Sequence, residues 1–242
     1  MSTTLGLIGS GSIGTVVARL AVAAGLNVVL SNSRGPGTLS GLVDELGKQA
    51  TAATPAEAAE AGDLVVAAIP LGAYDQLPAA ALAGRTVIDA MNYYPDRDGR
   101  IAELDAGTLT SSALVQRHLA DSLVVKAFNN IAYPHLLSLA RPVGASDRSA
   151  LPIAGDDESA KARTARLLDT LGYDVVDLGA LADSWRSEPN TPVYVQPYFP
   201  VRPTGMSQEE SYSWFLNTPG IPVAADRVKE LADAAVRSST AE

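Results

Sequence analysis

The sequence contains no cysteine and only two histidines among its 242 residues. Without cysteine there is no disulfide, no thiolate nucleophile and no zinc-thiolate centre. Two histidines are too few for a histidine-rich metal site, so no metal is expected. Basic charge is also scarce, since 18 Lys and Arg stand against 27 Asp and Glu and the formal net charge is -9. Because nucleic-acid surfaces need clustered basic residues, we expect no nucleic-acid partner, although a local cationic pocket for one phosphate is compatible with this balance.

The N-terminal segment lacks a basic lead-in and a long hydrophobic run. Its first positive charge is Arg19, and four glycines interrupt the apolar residues before it. A signal peptide would begin with basic residues, and a membrane span would not favour the glycines. We therefore expect a cytoplasmic protein with no membrane association.

Short apolar runs alternate with longer amphipathic stretches, which is typical of a parallel sheet flanked by helices. Most of the short runs are β-branched and fully apolar, as strands buried on both faces should be. The expected fold class is α/β, with a Rossmann-type, doubly wound, mostly parallel sheet. The predicted strands are residues 5–9, 27–31, 64–70, 86–91, 123–128, 152–155 and 174–178, and the predicted helices are 13–24, 41–49, 55–61, 159–171 and about 224–236.

A glycine-rich turn, GLIGSGSIG, follows the first predicted strand and opens the first predicted helix. Gly9, Gly11 and Gly14 have the spacing G-x-G-x-x-G. In a dinucleotide-binding turn the first glycine permits the tight turn, the second lets the backbone approach a pyrophosphate, and the third lets helix and strand pack closely. The helix N-terminus then offers N–H groups to the phosphates. The alternative is a glycine-rich turn without a ligand.

The stretch LSNSRGPG follows the second predicted strand, where an NAD-selective site would place a carboxylate. Here Ser31, Asn32 and Ser33 supply neutral donors and Arg34 supplies a planar cation, while the next carboxylate, Asp44, is too far along the chain. An arginine fork on a phosphate is a charge-assisted contact that favours NADP over NAD. The alternative is that Arg34 is a solvated loop residue.

The reacting partner is expected at the carboxyl ends of the central strands. Three stretches fall there: AIPLGAY, AMNYYPD and KAFNNIAYPH. Ile69 and Pro70 are candidates for packing against a ribose or the nicotinamide. Asn92, Asn129 and Asn130 are candidates for bonding a carboxamide or a ribose, with loop capping as the alternative.

Acid-base chemistry is less evident than cofactor binding. His118 is predicted on a helix with a surface role, and His135 and Asn129 are weak catalytic candidates near the expected site. Lys126 lies inside a predicted strand, where a salt bridge or a phosphate contact is favoured over a reactive amine. No serine, histidine and carboxylate arrangement emerges from the spacing.

Several spaced motifs together resemble a family. The stretches GLIGSGSIG, SNSRGP, AIPLGAY, VVKAFNNI, PIAGDDESAK and DLGALADSW are similar to those of the coenzyme F420-dependent NADP oxidoreductases, and to the related NADPH-flavin domain of ferric reductases. The resemblance covers about residues 4–186. It implies a Rossmann domain that binds NADPH, a homodimer, and hydride exchange between the nicotinamide and a deazaflavin.

The resemblance also assigns residues by position. Ser10 and Ile13 match turn residues that contact phosphate and ribose, and Ser12 between them is counted with the cofactor-binding residues. Ala127 matches an alanine near the nicotinamide.

In the loop after the second strand, Ser33 and Arg34 match the pair that holds the 2′-phosphate. This loop is one residue longer than in the family, so Ser31 or Ser33 could be the partner of Arg34.

Composition changes near residue 184. Residues 185–222 hold seven of the 13 aromatic residues and seven of the 15 prolines, so this segment is built differently from the rest. We predict an NADP-binding Rossmann domain over residues 1–184 and a C-terminal extension over 185–242. The extension is longer and more aromatic than the family's usual end. We expect it to wall the deazaflavin pocket, to accommodate another flavin or substrate, or to build a dimer interface, with plain core packing as the alternative.

The function expected first is hydride transfer between NADPH and a deazaflavin, coenzyme F420, or a flavin acceptor. This transfer needs stacking and exclusion of water more than a proton relay. Two alternatives stay open: an NADPH-dependent reductase of a small carbonyl or imine, and a non-catalytic NADP(H)-binding regulatory module.

Overall fold

The computed structural model describes residues 3–237, which form one eight-stranded sheet with flanking helices. The strand order is β3-β2-β1-β4-β5-β6-β7-β8. All neighbouring strands are parallel except β6 and β7, so the doubly wound, mostly parallel α/β sheet is confirmed. The strands are β1 (Thr4–Ile8), β2 (Asn27–Ser31), β3 (Ala50–Ala52), β4 (Leu64–Ala67), β5 (Thr86–Asp89), β6 (Leu123–Lys126), β7 (Ala150–Gly155) and β8 (Asp174–Asp177).

The helices include all five that the sequence pattern predicts. The helices are α1 (Ser12–Ala23), α2 (Ser40–Leu46), α3 (Pro55–Ala61), α4 (Ala79–Leu82), α5 (Pro95–Asp98), α6 (Ala102–Asp105), α7 (Ser111–His118), α8 (Tyr133–Ser138), α9 (Glu158–Thr170), α10 (Gln208–Asn217) and α11 (Ala225–Asp233). Short 3₁₀ helices span Pro36–Leu39, Gly47–Gln49, Leu71–Gln76, Leu181–Ser187 and Gln196–Tyr198. Helix α3 begins where predicted because Thr54 and Glu57 form a capping box around Pro55.

Strand β3 and helix α10 are among the elements that the sequence pattern did not predict. Strand β3 is only three residues long and reads Ala-Thr-Ala, so it lacks an apolar run. It forms because Val28 to Leu30 of β2 offer it a parallel partner at the sheet edge. Helix α10 lies in the aromatic segment and contains no fully buried residue, so its apolar periodicity is weak.

Two apolar clusters hold the layers together. The larger joins β1 to α1 through residues such as Leu7 and Val16, and the smaller contains Val65 and Val87 of the central strands. Residues from beyond the composition change join the larger cluster: Val193, Tyr198, Val223 and Val228. The Tyr198 hydroxyl donates to the Ala150 carbonyl of β7 at 2.9 Å. Residues on both sides of position 184 therefore share one core.

The strand order reverses direction beside β1. From β1 the chain moves outward through β2 and β3, then returns to place β4 on the other side of β1. In such sheets the crevice at the reversal, at the carboxyl ends of the strands, is where ligands bind. Within residues 3–237 no helix has the length and apolarity to cross a membrane.

Candidate nucleotide site and cleft

The glycine turn has the geometry that its spacing predicts. Gly9 has φ +105°, and a Cβ there would lie 2.3 Å from the Ala68 carbonyl oxygen. A Cβ at Gly14 would lie 1.9 Å from the Gly9 carbonyl oxygen. Both positions are therefore glycine because of the protein's own backbone: Gly9 for the turn and Gly14 for the close contact between helix and strand.

Gly11 differs from the other two glycines. A Cβ at Gly11 would meet no protein atom within 4 Å, and its φ of -80° is open to any residue. Gly11 is also the N-cap of α1, and no side chain caps that helix. The turn thus fits a dinucleotide pyrophosphate, because its backbone N–H groups are uncapped and the one glycine without a packing role lies where a side chain would obstruct the ligand.

The serines around this turn divide into supporting and exposed residues. The Ser10 hydroxyl donates to the Ser31 carbonyl at 3.0 Å, which ties the turn to the end of β2. Ser31 is fully buried and donates to the Leu7 carbonyl at 2.8 Å. Ser12 is exposed at the first position of α1, beside the half-buried Ile13.

The loop after β2 is organised by Asn32. The Asn32 amide donates to the Thr38 hydroxyl at 2.9 Å, and its side-chain oxygen accepts the Arg34 backbone N–H at 2.9 Å. Ser33 and Arg34 are exposed, and the Arg34 guanidinium forms no ion pair within the described residues. The loop therefore holds an unpaired cation beside a free hydroxyl, a donor set that fits a phosphate.

A cleft of about 470 Å³ lies at the carboxyl ends of the central strands. It begins at the first turn of α1 and continues past β4, β5 and β6, so it brings together the three stretches that the sequence assigned to the reacting partner. The C-terminal segment closes its far side. The lining residues are Ser12, Ile13, Ala68, Ile69, Pro70, Ala90, Met91, Asn92, Tyr94, Arg97, Phe128, Asn129, Ile131, Ala132, Tyr133, Tyr194, Val195 and Phe215.

Aromatic rings and a single charged side chain distinguish the far end of this cleft. Tyr94 and Tyr194, which are 100 residues apart in sequence, form a hydroxyl-to-hydroxyl hydrogen bond. The Arg97 guanidinium lies over the Tyr94 ring, 4.8 Å from its centroid, and Arg97 is the one charged residue in the described lining. Burial and then the hydrogen bond to Tyr94 raise the pKa of Tyr194 well above its ordinary range.

Arg97 is held in place by the protein. It donates to both carboxylate oxygens of Asp98 at 2.8 Å and to the Asn92 carbonyl at 2.9 Å. Burial alone would raise the pKa of Asp98, but hydrogen bonds from Arg97 and from the Tyr94 backbone keep it below its usual range. Arg97 is thus a fixed cation beside the tyrosine pair.

Two of the three candidate asparagines bond to the C-terminal segment, and the third bonds to one of them. Asn92 donates to the Asn129 carbonyl at 2.8 Å, and Asn129 donates to the Ser187 carbonyl at 2.7 Å. Asn130 is fully buried and donates to Val193 and to the hydroxyl of a buried tyrosine. Of the three, Asn92 and Asn129 line the cleft.

The remaining candidates are not among the residues that line the cleft. His135 is fully buried, with its Nε2 2.9 Å from the Thr218 carbonyl and its ring 4.0 Å from that of Phe199. Ala127 is fully buried in the core and, like His135, is not among the lining residues. His118, at the end of α7, is half-buried with Nε2 3.0 Å from the Leu77 carbonyl.

Lys126 forms a buried ion pair beneath the cleft. Its ammonium lies 3.2 Å from Asp89, with both side chains fully buried, and it also donates to Ser111 and to the Met91 carbonyl. Asp89 in turn accepts from the Ser112 hydroxyl at 2.6 Å. These contacts join β5, β6 and α7 directly below the strand ends.

Two cleft residues have a strained backbone. Phe128 has φ +62° and Val195 has φ +58° with ψ -53°, values that residues other than glycine rarely adopt. Val195 is held there by its N–H bond to the Asn130 carbonyl at 2.8 Å. Strained non-glycine residues concentrate at functional sites, where the surrounding structure imposes them.

The sequence motifs did not single out Tyr94, Arg97, Tyr194 or Phe215. Tyr94 and Arg97 fall in or next to a stretch that was assigned to the strand ends, but spacing gave no reason to choose them. Tyr194 and Phe215 come from the aromatic segment, whose composition is the signal that distinguishes it. Tyr194 bonds to Tyr94 and Phe215 packs against Tyr133. The partners in both pairs are more than 80 residues apart, and no local pattern encodes such contacts.

Comparison with known proteins supports the nucleotide-binding half most directly. Residues 4–93 match the model of the family described as NADP oxidoreductase, coenzyme F420-dependent. This range contains the glycine turn, the loop after β2 and the first strand ends of the cleft. The match supports NADP-linked oxidoreduction.

Solved structures share the fold over a longer part of the chain. A hypothetical protein, SMa0349, from Sinorhizobium meliloti is 29% identical, with a TM-score of 0.69 over 80% of this chain and 93% of that chain. A candidate F420-dependent NADP-reductase from Arthrobacter sp. FB24 is 24% identical, with a TM-score of 0.63 over 76% and 87%.

A curated relative matches a short part of the chain. The Escherichia coli K12 protein YjhV is 42% identical over 53 residues, which is 22% of this chain and 39% of that protein. Over residues 4–93, the resemblance to the coenzyme F420-dependent NADP oxidoreductases is confirmed.

Proposed function

We propose that this protein transfers a hydride between NADPH and a planar deazaflavin or flavin acceptor, coenzyme F420 being the deazaflavin. The observation that carries the proposal is the cleft at the carboxyl ends of β4, β5 and β6. Its far end is walled by the rings of Tyr94, Tyr133, Tyr194 and Phe215, and it contains no carboxylate, histidine or lysine side chain among its described lining residues.

The adenosine end of the nucleotide is assigned to the turn and loop beside β1 and β2. Gly9, Gly11 and Gly14 shape the turn, and the uncapped N-terminus of α1 receives the pyrophosphate. Ser10, Ser12 and Ile13 complete that turn. In the loop, Arg34 and Ser33 are proposed to bind the 2′-phosphate, because both are exposed and the hydroxyl of Ser31 is engaged with Leu7.

The nicotinamide and the acceptor are assigned to the cleft. Ile69 and Pro70 follow β4 at its entrance, and Asn92 and Asn129 follow the next two strands. A stacked ring gains from aromatic and apolar neighbours, which also exclude water from a hydride donor. NADPH supplies the hydride, and the chain's own contribution is to hold two flat rings in one dry cleft.

The C-terminal extension is proposed to wall the acceptor end of the cleft. Tyr194, Val195 and Phe215 come from it, and the Tyr133 and Phe215 rings meet edge to face with centroids 5.8 Å apart. The Phe199 ring stacks behind Phe215 with centroids 5.6 Å apart. We also propose a homodimer, as the family resemblance implies.

Anaerobic stopped-flow absorbance tests the proposal. NADPH-loaded protein is mixed with oxidised coenzyme F420, with free FMN as a parallel acceptor and a small ketone and a cyclic imine as comparison substrates. We expect matched loss of the 340 nm band and of the deazaflavin or flavin band. A matched variant, Phe215→Ala, should raise the KM of the planar acceptor while NADPH binding stays within about twofold, because Phe215 lines only the acceptor end.

Two results would contradict the proposal. Reduction of the ketone or imine with neither planar ring reduced would make the protein a small-molecule reductase. Saturable NADPH binding with no acceptor reduced would make it a binding module.

A further inference from the structure

The tyrosine pair has no part in a hydride transfer that needs only stacking, yet it lies at the acceptor end of the cleft. Tyr94 follows β5 and Tyr194 comes from the C-terminal extension, and their hydroxyls bond to each other inside the lining. Val195, beside Tyr194, has the strained backbone already described. The fold therefore imposes an unfavourable conformation next to this hydroxyl pair, as is common at functional sites.

The two hydroxyls can bond in either direction, since each is both a donor and an acceptor. In the arrangement in which Tyr194 donates, the Tyr94 oxygen accepts, and burial together with the bond raises the pKa of Tyr194. A hydroxyl that accepts such a bond directs its own O–H elsewhere. Tyr94 is half-buried and lines the cleft, so its O–H can then donate to a molecule bound there.

Charged groups lie next to Tyr94. Arg97 lies over the ring, 4.8 Å from its centroid, where the face of the ring attracts a cation. Asp98, whose carboxylate is paired with Arg97, offsets part of that cation, and its Oδ2 also accepts the Tyr94 backbone N–H at 2.9 Å. Tyr194 adds a donor to the same oxygen. These are the charged and titratable groups that the described contacts place against Tyr94.

We propose that Tyr94 is the proton donor to the hydride acceptor, and that Tyr194 is the positioning residue that aims and stabilises it. The inference rests on the proposed function. Reduction of a deazaflavin or flavin ring adds a hydride at one ring atom and a proton at a ring nitrogen. NADPH supplies the hydride with its two electrons. The Tyr94 O–H bond breaks, its proton forms the new N–H bond, and the resulting phenolate takes a proton back from water.

The test compares three tyrosine-to-phenylalanine variants by stopped flow with NADPH and oxidised F420. Tyr94→Phe should lower kcat about 100-fold, within the range known for general acids, and remove the alkaline limb of its pH profile. Tyr194→Phe should lower kcat about tenfold and shift that limb. Tyr74→Phe, at a half-buried tyrosine that is not among the cleft's lining residues, is the matched control and should change kcat less than twofold.

A binding measurement gives a readout that does not depend on turnover. Calorimetric titration of oxidised F420 into protein without NADPH should show a two- to tenfold weaker Kd for Tyr94→Phe, which loses one hydrogen bond to the ring. The F420 Kd of Tyr74→Phe and the NADPH Kd of every variant should stay within about twofold. Urea midpoints like that of the wild type confirm that the variants are folded.

The outcomes separate the two proposals. If the wild type reduces F420 or FMN and Tyr94→Phe keeps both its rate and its pH profile, the proton-donor role is overturned and the proposed function stands. Equal losses in Tyr94→Phe and Tyr74→Phe would show that the effect is not specific to the hydroxyl in the cleft, which also overturns the proton-donor role. If the wild type reduces no planar acceptor, both proposals fail together.

Discussion

The two ends of the proposed nucleotide site are built in opposite ways. The end proposed for the adenosine is a short, exposed loop in which Asn32 bonds to both Arg34 and Thr38. The end proposed for the nicotinamide is a cleft whose walls come from β4, β5, β6 and the C-terminal segment, and a hydrogen bond in it joins Tyr94 to Tyr194. One end offers a cation at the surface, and the other is lined mainly by rings and apolar side chains.

This difference separates binding from stability. A loop that contacts little else can present Arg34 to a phosphate while adding little to the folded state, since exposed side chains contribute only small energies. The buried pair of Lys126 and Asp89 lies behind the cleft lining, and we call this pair the cleft floor. The fold must keep it intact. Substitutions at the two ends should therefore divide between affinity and unfolding.

The largest effect is expected at the cleft floor. Lys126→Met leaves the Asp89 carboxylate buried without its cation, so it should lower the free energy of unfolding by about 3–5 kcal/mol in urea melts. The double variant Lys126→Met with Asp89→Leu removes both charges and should recover most of that loss. A loss below about 1 kcal/mol in the single variant would mean that the buried pair contributes no more to stability than the exposed loop does.

The glycine turn lies between the two ends and allows a matched pair. Gly14→Ala places a Cβ against the Gly9 carbonyl and should cost about 1–3 kcal/mol of stability, since a close contact must shift. Gly11→Ala meets no protein atom, so its unfolding free energy should fall by no more than about 1 kcal/mol, the difference between Gly and Ala at an N-cap, while the NADPH Kd, measured by fluorescence titration, rises. If Gly11→Ala binds NADPH as the wild type does, the pyrophosphate is not at this turn.

At the exposed end, Arg34→Ala should raise the NADPH Kd about ten- to a hundredfold and leave the NADH Kd nearly unchanged, because only NADPH has the 2′-phosphate. The urea midpoint should not move. Arg227→Ala, an exposed arginine on α11, is the control and should change neither affinity. Equal losses for both nucleotides would remove the 2′-phosphate assignment.

The smallest effects are expected at the two serines, which sharpen the comparison within one loop. Ser33→Ala should weaken NADPH binding about two- to tenfold without a change in stability, as the loss of one hydrogen bond implies. Ser31→Ala loses its bond to the Leu7 carbonyl and should lower the unfolding free energy by about 1 kcal/mol. If the two results were reversed, Ser31 would be the partner of Arg34.

Most of the sheet was predictable because local patterns carry it. Strand β2 and helix α3 have the bounds that the pattern predicts, since an apolar β-branched run and a capping box are local signals. Strand β3 and helix α10 were missed because neither has a strong periodicity of its own. Their formation depends on an available sheet edge and on the wall of the cleft.

The candidate site divides along the same line. The glycine turn and the exposed loop after β2 could be predicted from the sequence, because each depends on its own backbone or on side chains that face solvent. The hydrogen bonds of Asn129 and His135 could not be predicted, because their partners, Ser187 and Thr218, are 58 and 83 residues away in sequence.

By itself, the sequence determined the α/β class, the glycine turn after β1 and the arginine in the loop after β2, since these follow from residue types at fixed short spacings. The tertiary structure alone decided that Ser31 points inward, that Lys126 is paired in the floor, and that two tyrosines 100 residues apart meet in the cleft. The physical reason is that burial and long-range pairing are set by how layers pack, and packing is a property of the whole chain.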